Sequence, residues 1–220
     1  MSLCLSVKTL VEFKQICETN GLDIIQELLK GSLPRKPTFQ KALEYLDKHK
    51  PSVLIETGTS RGRFDINLPS VCGDGASTLI FALWCSKNNA KIYTIDIDPL
   101  CIDNCKLNIA ALGLTDFVEF VVSDSVTYLQ NMELSNIQFV FLDSYDFDYN
   151  NPTPSQKHHE LEYMAIKNKL QNGCCILIDD CGLPHGGKGL FVERILIEDG
   201  FKLIENQYQH LYERKPTVSL

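Results

Sequence analysis

A series of short apolar runs along this chain closes on acidic or small polar residues. Glu56-Thr57-Gly58 ends SVLIETG, Asp96-Ile97-Asp98 ends YTIDID, and Ser123-Asp124-Ser125 follows FVEFVV. Asp143 ends IQFVFLD, and Asp179-Asp180 ends CCILIDD. Taken singly, each tip reads equally well as a solvated turn, because a strand must end in something soluble. Five in successive runs point to one crevice. The first tip limits what that crevice accepts. A dinucleotide fold needs GxGxxG directly after its strand, so that backbone amides reach a pyrophosphate. Here the turn is Glu56-Thr57-Gly58-Thr59-Ser60, and Gly75-Ala76-Ser77-Thr78 opens a helix only later, which leaves no tight diphosphate cradle.

The elements that carry these tips alternate. Apolar residues from Val7 onward recur at helical spacing as far as Leu29, and Asn20-Gly21 divides them into two helices. Residues 31–37 read as a linker, and Thr38 caps a helix that runs to Lys50 and is stopped by Pro51. SVLIETG then suits a strand buried on both faces of a parallel sheet. GASTLIFALWCSK reads as a helix, KIYTIDID as a strand, and PLCIDNCKLNIAALGL as a helix with Pro99 in its first turn and Gly113 near its end. FVEFVVSD is a strand, SVTYLQNM a short helix and IQFVFLD a strand. SQKHHELEYMAIKNKLQNG is expected to form a helix ended by Gly173, with CCILIDD as the next buried strand. GLFVERILIEDG is a helix, and FKLIEN and YQHLYER close the chain as an antiparallel pair. The expected fold is α/β: a doubly wound, mostly parallel seven-stranded Rossmann-like sheet with that antiparallel pair and an N-terminal helical extension. The extension takes residues 1–50 and the sheet domain residues 51–220. Ligands of such sheets bind beyond the carboxyl ends of the strands, where the strand order reverses.

Composition closes off several classes. A chain of 220 residues, 44% hydrophobic and 22% charged, buries a real core and is not disordered. No apolar run is long enough to span a bilayer, and the opening MSLCLSVKTL lacks the plan of a signal peptide. The expected location is therefore cytoplasmic. A net charge of −7 supplies no basic field to gather phosphates, so neither nucleic acid nor a membrane is the expected partner. Nine cysteines in this setting are expected to be reduced, buried thiols. No CxxC pair exists, and Cys174 and Cys175 point to opposite faces if they lie in a strand.

E-x-G-T-S followed by G-x-S-T-L resembles the first motif of the class I S-adenosylmethionine-dependent methyltransferases. The resemblance runs from about Ser52 to Cys181. It implies that Glu56, Gly58, Thr59, Ser60, Gly75 and Ser77 bind the cofactor, with glycine letting the backbone approach its methionine portion. It also implies that Asp96 holds the ribose hydroxyls, that Ser123, Asp124 and Ser125 face the adenine, and that Asp143 borders the cofactor. The family sets its two glycine segments almost adjacent. Here residues 61–74 intervene, as a lid hinged at Gly62 and Gly73 or as an exposed loop.

A narrower resemblance is to metal-dependent O-methyltransferases of the macrocin type. It implies that Asp143, Asp179 and Asp180 hold Mg²⁺ or another divalent cation, since three crowded carboxylates repel one another unless a cation compensates them. The implied reaction methylates a hydroxyl of a small-molecule substrate. Catechol-type members carry a Lys three residues after the first metal Asp; this chain has Asp146 there. The candidate catalytic residues are Asp143, Asp146 and one of His158 and His159. Adjacent helical residues point about 100° apart, so at most one of the two histidines faces the site.

The glycine-rich segment 182–189 reads either as a substrate gate in which Lys188 touches an anionic substrate or as an exposed turn. The helices before Pro51 either cover the site or offer the face of a homodimer. Two rival readings remain: a metal-dependent hydroxylase-like or other small-molecule enzyme on the same fold, and a cofactor-binding module without catalysis. Against the second stands the intact Asp143, Asp179 and Asp180 set, because idle buried carboxylates cost stability.

Overall fold

The structure is a computed structural model that describes residues 10–61 and 75–215. Of the intervening insert, only Arg61 and its flank are described, so the expected lid lies outside these residues. Three helices come first: α1 (Leu10–Thr19), α2 (Ile24–Gly31) and α3 (Lys36–His49). Then follow β1 (Val53–Thr57), α4 (Ser77–Asn88), β2 (Lys91–Asp96), α5 (Pro99–Leu112) and β3 (Val118–Val122). The second half holds α6 (Ser125–Asn131), β4 (Ile137–Leu142), α7 (Thr153–Ile166), β5 (Leu170–Ile178), α8 (Val192–Glu198), β6 (Phe201–Asn206) and β7 (His210–Arg214).

These strands form one seven-stranded sheet in the order β3-β2-β1-β4-β5-β7-β6. The pairs from β3 through β5 are parallel, and β7 runs antiparallel to both β5 and β6. From β1 the chain winds outward first through β2 and β3, then returns to place β4 on the other side. That reversal sets a crevice between the ends of β1 and β4. Helices cover both faces, which is why the central strands are apolar without alternation.

On one face, Phe81 of α4 packs edge-on against Phe139 and Phe141 of β4, with ring centroids 5.2 and 5.9 Å apart. Phe39 of α3 joins them at 5.8 Å from Phe81 and 5.9 Å from Phe141. The N-terminal helices therefore share one core with the sheet. Helix α4 is buried from Ser77 to Cys85, which accounts for its apolar sequence on every side. Cys175 belongs to this core and Cys174 to the core on the opposite face, as strand alternation requires.

Two boundaries differ from expectation. Helix α7 stops at Ile166, one 3-10 turn follows over Lys167–Lys169, and β5 already begins at Leu170. Gly173, expected to end that helix, lies inside β5 at φ +78°, where the register against β4 shifts between Ile137 and Phe139. A glycine that would suit a helix end serves here as a β-bulge, and the Tyr45 hydroxyl of α3 bonds its carbonyl. Helix α3 starts ahead of Thr38, with Pro37 in its first turn. The Thr38 hydroxyl lies instead 2.9 Å from the Arg35 carbonyl and 2.5 Å from Gln209 Oε1.

Candidate active site

A cavity of about 470 Å³ opens at the carboxyl ends of the parallel strands. Gly58 begins its floor. The Gly58 N–H donates to the Ile95 carbonyl at 2.7 Å, and the Asp143 N–H donates to the Thr57 carbonyl at 3.0 Å. The first bond ties the β1 tip to β2, and the second brings the β1 and β4 loops into backbone contact. Asp96 stands beside Gly58 and its carboxylate is held at both oxygens, by the Thr59 N–H at 3.1 Å and the Asp98 N–H at 2.9 Å. Asp124 caps α6 by accepting from the Thr127 N–H at 2.8 Å, and hydrogen bonds from Thr127 hold its carboxyl below the usual range. Thr59, Asp96, Asp124, Ser125 and Asp143 all line the cavity.

Glu56, Ser60, Gly75 and Ser77 do not line it. Glu56 is fully buried beneath the floor and accepts from the hydroxyls of Ser77 (2.6 Å), Thr78 (2.7 Å) and Thr94 (2.7 Å). Burial pushes its carboxyl up to about 7 despite these three donors. The Ser60 N–H donates to Thr78 Oγ1 at 3.0 Å, so Ser60 and Glu56 tie the β1 loop to the start of α4. Gly75, at φ +74°, packs on the N-terminal helices, and a Cβ there would meet Arg35 Cδ at 2.7 Å.

At the other end of the cavity Asp143, Asp179 and Asp180 converge, with one oxygen of each within 4.8 Å of the others. Two cations stand among them. Arg35 Nη2 donates to Asp179 Oδ2 at 2.7 Å and to Asp180 Oδ1 at 3.2 Å, and Arg35 Nε reaches both Asp179 oxygens at 2.9 Å. Lys188 Nζ donates to Asp143 Oδ1 at 2.7 Å and to the Ser144 carbonyl at 3.2 Å, and stands 3.2 Å from Asp180 Oδ2. Neutral donors complete the set: Gln209 Nε2 to Asp179 Oδ1 at 2.9 Å and the Tyr208 hydroxyl to Asp180 Oδ1 at 2.6 Å.

Arg35 is 8% exposed and Lys188 2%. Burial opposes both charges, but Asp179 for Arg35 and Asp143 for Lys188 outweigh it and hold each cation above its ordinary range. Burial and the neighbouring Asp179 raise the Asp143 carboxyl, while Arg35 overcomes burial and lowers that of Asp179. Asp143 Oδ1 and all four oxygens of Asp179 and Asp180 thus already face a donor. This set does not fit a divalent cation, which would have to displace a buried ammonium and a buried guanidinium.

In the segment 182–189, Gly182, Pro184, His185 and Gly186 are exposed as a turn would be, but Gly187, Lys188 and Gly189 are buried, so Lys188 does not lie in an exposed turn. Asp180 adopts φ +54° and Gly187 closes on it so tightly that a Cβ at 187 would strike the Asp180 carbonyl. The loop folds back and aims Lys188 inward. Arg35 lay in the expected linker, and nothing in its local sequence marks it as a site residue. Tyr208 and Gln209, in the turn before β7, were missed for the same reason.

His158 lines the cavity, whereas His159 is fully buried and bonds the Ser155 carbonyl through Nδ1 at 2.8 Å. His158 Nε2 lies 2.9 Å from Ser125 Oγ and 3.6 Å from Glu162 Oε1. Burial alone would push the His158 imidazole down, but Glu162 carries it above its ordinary value. Glu162, fully buried, also accepts from the Ser144 hydroxyl at 2.6 Å, and its carboxyl falls to about 2 because His158 and His159 outweigh burial. Asp146 reaches the cavity rim but is exposed and clasped by Arg61 Nη1 at 2.8 and 2.9 Å.

Comparison with known proteins agrees with this architecture. The family model described as a methyltransferase domain matches residues 71–181. Among solved structures, the O-methyltransferase from Bacillus cereus in complex with SAH superposes with a TM-score of 0.55 at 15% identity, over 96% of this chain and 92% of that one. A methyltransferase from Geobacter sulfurreducens gives a TM-score of 0.55 at 15% identity, over 98% and 92%. NSun6 from Pyrococcus horikoshii with SFG gives 0.56 at 15% identity, over 77% of this chain and 48% of that one, so this chain spans about half of that protein. At these identities the structural likeness concerns the fold. No helix among the described residues is long and apolar enough to cross a membrane.

Proposed function

Because the chain belongs to the methyltransferase-domain family, we propose that it transfers a methyl group from S-adenosylmethionine to a hydroxyl of a small-molecule substrate. The observation that carries this reading is Asp96. Its carboxylate is fixed by two backbone amides at the tip of β2, facing a cavity whose far end is built from Asp143 and Lys188. A pre-oriented carboxylate at that point suits the paired hydroxyls of a ribose. The adenine then lies toward Asp124 and Ser125, and the sulfonium methyl points to Asp143.

In the transfer the acceptor oxygen attacks the methyl carbon in line. The carbon–sulfur bond breaks with its electron pair staying on sulfur, and the hydroxyl proton leaves to a base. Asp143 is that base. Asp146 is held by Arg61 at the rim, and Glu162 biases His158 toward its protonated form, so that it donates rather than accepts. Burial gives Asp143 the higher proton affinity the task requires.

Titration calorimetry of the full chain tests the cofactor. S-adenosylmethionine is expected to bind and NAD is not; the reverse result ends the reading. Isotope transfer from methyl-labelled cofactor to a panel of hydroxylated small molecules, against amines and RNA, then tests the acceptor.

A further inference from the structure

We propose that Arg35 and Lys188 stand where a divalent cation would stand between Asp143, Asp179 and Asp180, so that this site works without a metal. The inference rests on the reading of the cavity as a methyl-transfer site, and it adds Arg35, from the N-terminal helices, as a positioning residue of that site.

Three observations carry it. First, the charges nearly balance within the cluster. Three carboxylates meet one guanidinium and one ammonium, both almost wholly removed from water. Removing either cation would leave like charges crowded in a buried place, the condition that a bound metal ordinarily relieves.

Second, the cations are held by dedicated backbone. Gly75 gives Arg35 passage, since a Cβ there would meet Arg35 Cδ at 2.7 Å, and the Arg35 guanidinium lies over the Tyr208 ring at 4.9 Å. Gly187 lets the loop after β5 close on Asp180 and deliver Lys188. Two separate segments of chain are shaped around these two side chains.

Third, Lys188 is already engaged by oxygens of the fold. Its ammonium donates to Asp143 Oδ1 and the Ser144 carbonyl and forms an ion pair with Asp180 Oδ2 at 3.2 Å. Lys188 therefore orients Asp143 rather than capturing an anionic acceptor. Arg35 does the same for Asp179 and Asp180 through a fork that a lysine cannot reproduce.

The test is a set of thermal melts on the full chain in EDTA and in millimolar Mg²⁺, Mn²⁺ or Ca²⁺, with Mn²⁺ binding followed in parallel by electron paramagnetic resonance. Wild type is expected to melt at the same temperature in all four conditions and to leave the Mn²⁺ signal that of the free ion. Arg35→Met is expected to melt lower in EDTA and to gain a rise of a few degrees with Mn²⁺ or Mg²⁺, because it opens Asp179 and Asp180 to a cation. Lys188→Met, which frees Asp143 and Asp180, is the second variant should the first not fold.

A wild-type melt raised by a divalent ion, or Mn²⁺ bound by wild type, overturns the proposal. So do folded variants that gain no response to the ions, since the cations would then be replacing nothing. A further wild-type melt in EDTA keeps the two claims apart: S-adenosylmethionine is expected to raise the melting temperature there, and no rise sinks the methyl-transfer reading, whereas the ion response alone decides this one.

Discussion

Gly58 and Asp143 meet backbone to backbone across the switch point of the sheet. A Cβ added to Gly58 would stand 2.8 Å from the Asp143 carbonyl carbon and be driven into its oxygen. Gly58 also holds φ +76°, where a side chain is strained. The contact couples the loop that floors the cavity to the loop that carries the proposed base. Gly58→Ala is accordingly expected to cost about 1–3 kcal/mol of stability and to weaken S-adenosylmethionine binding as well. Urea unfolding and calorimetry on the same preparation check both. A variant with unchanged affinity would show that the β1–β4 junction does not border the cofactor.

Asp96 gives a cleaner separation of binding from folding, because its carboxylate lies at the cavity and not in the core. Replacing it with Ala removes charge-assisted hydrogen bonds worth about 1.5–3 kcal/mol to the ribose hydroxyls. The dissociation constant for S-adenosylmethionine should rise roughly ten- to a hundred-fold. Circular dichroism should remain that of wild type, apart from the small loss of the Thr59 and Asp98 amide contacts.

The two deepest glutamates should shape the pH dependence of stability in opposite ways. Glu56 titrates near 7 in the fold and near 4.5 when unfolded, so between those values the native state binds the extra proton. Stability therefore falls as pH rises through this window, by up to about 3 kcal/mol. Glu162 titrates near 2 in the fold, so its contribution is complete above 4.5 and is lost as pH falls toward 2. Denaturant unfolding of Glu56→Gln across pH 4.5 to 7 should show a flatter profile than wild type, and Glu162→Gln a flatter acid limb. A wild-type profile retained by Glu56→Gln would place the titrating group elsewhere.

The strand tips were legible in the sequence because a strand buried on both faces must be apolar until it leaves the sheet. SVLIETG, YTIDID and IQFVFLD announce both the parallel sheet and the place where polar groups begin. Helix geometry limited the site to at most one of His158 and His159, and of the two only His158 lines the cavity. Arg35 was not legible, because its partner Asp179 is 144 residues away and only tertiary packing joins them. Lys188 misled for a related reason: a glycine-rich segment normally signals an open turn, and here its glycines allow close packing around a buried ammonium. Gly173 shows the same ambiguity at the level of an element. After an amphipathic run a glycine reads as a helix end, yet pairing with β4 claims the residues from Leu170 onward for the sheet. The expectation of a metal rested on repulsion among three crowded carboxylates, and the cations that stand among them here are Arg35 and Lys188.

Cys101 offers a footprint of the cofactor that needs no mutation. It sits in the first turn of α5, partly exposed, and lines the cavity beside Asp96 and Asp98. Every other cysteine among the described residues is buried. Burial and the two nearby carboxylates push the Cys101 thiol up to about 11, so its thiolate is scarce at neutral pH and alkylation should be slow. The rate should climb close to tenfold per pH unit over the range below that value. If S-adenosylmethionine lays its ribose against Asp96, the bound cofactor covers Cys101 and protects it in proportion to occupancy. Site-resolved mass spectrometry after a limited pulse of iodoacetamide, with and without the cofactor, reads this directly. Modification at Cys101 should fall several-fold at saturation and titrate with the calorimetric dissociation constant. Equal labelling in the two samples, at cofactor concentrations where calorimetry reports binding, would place the cofactor away from the β2 tip.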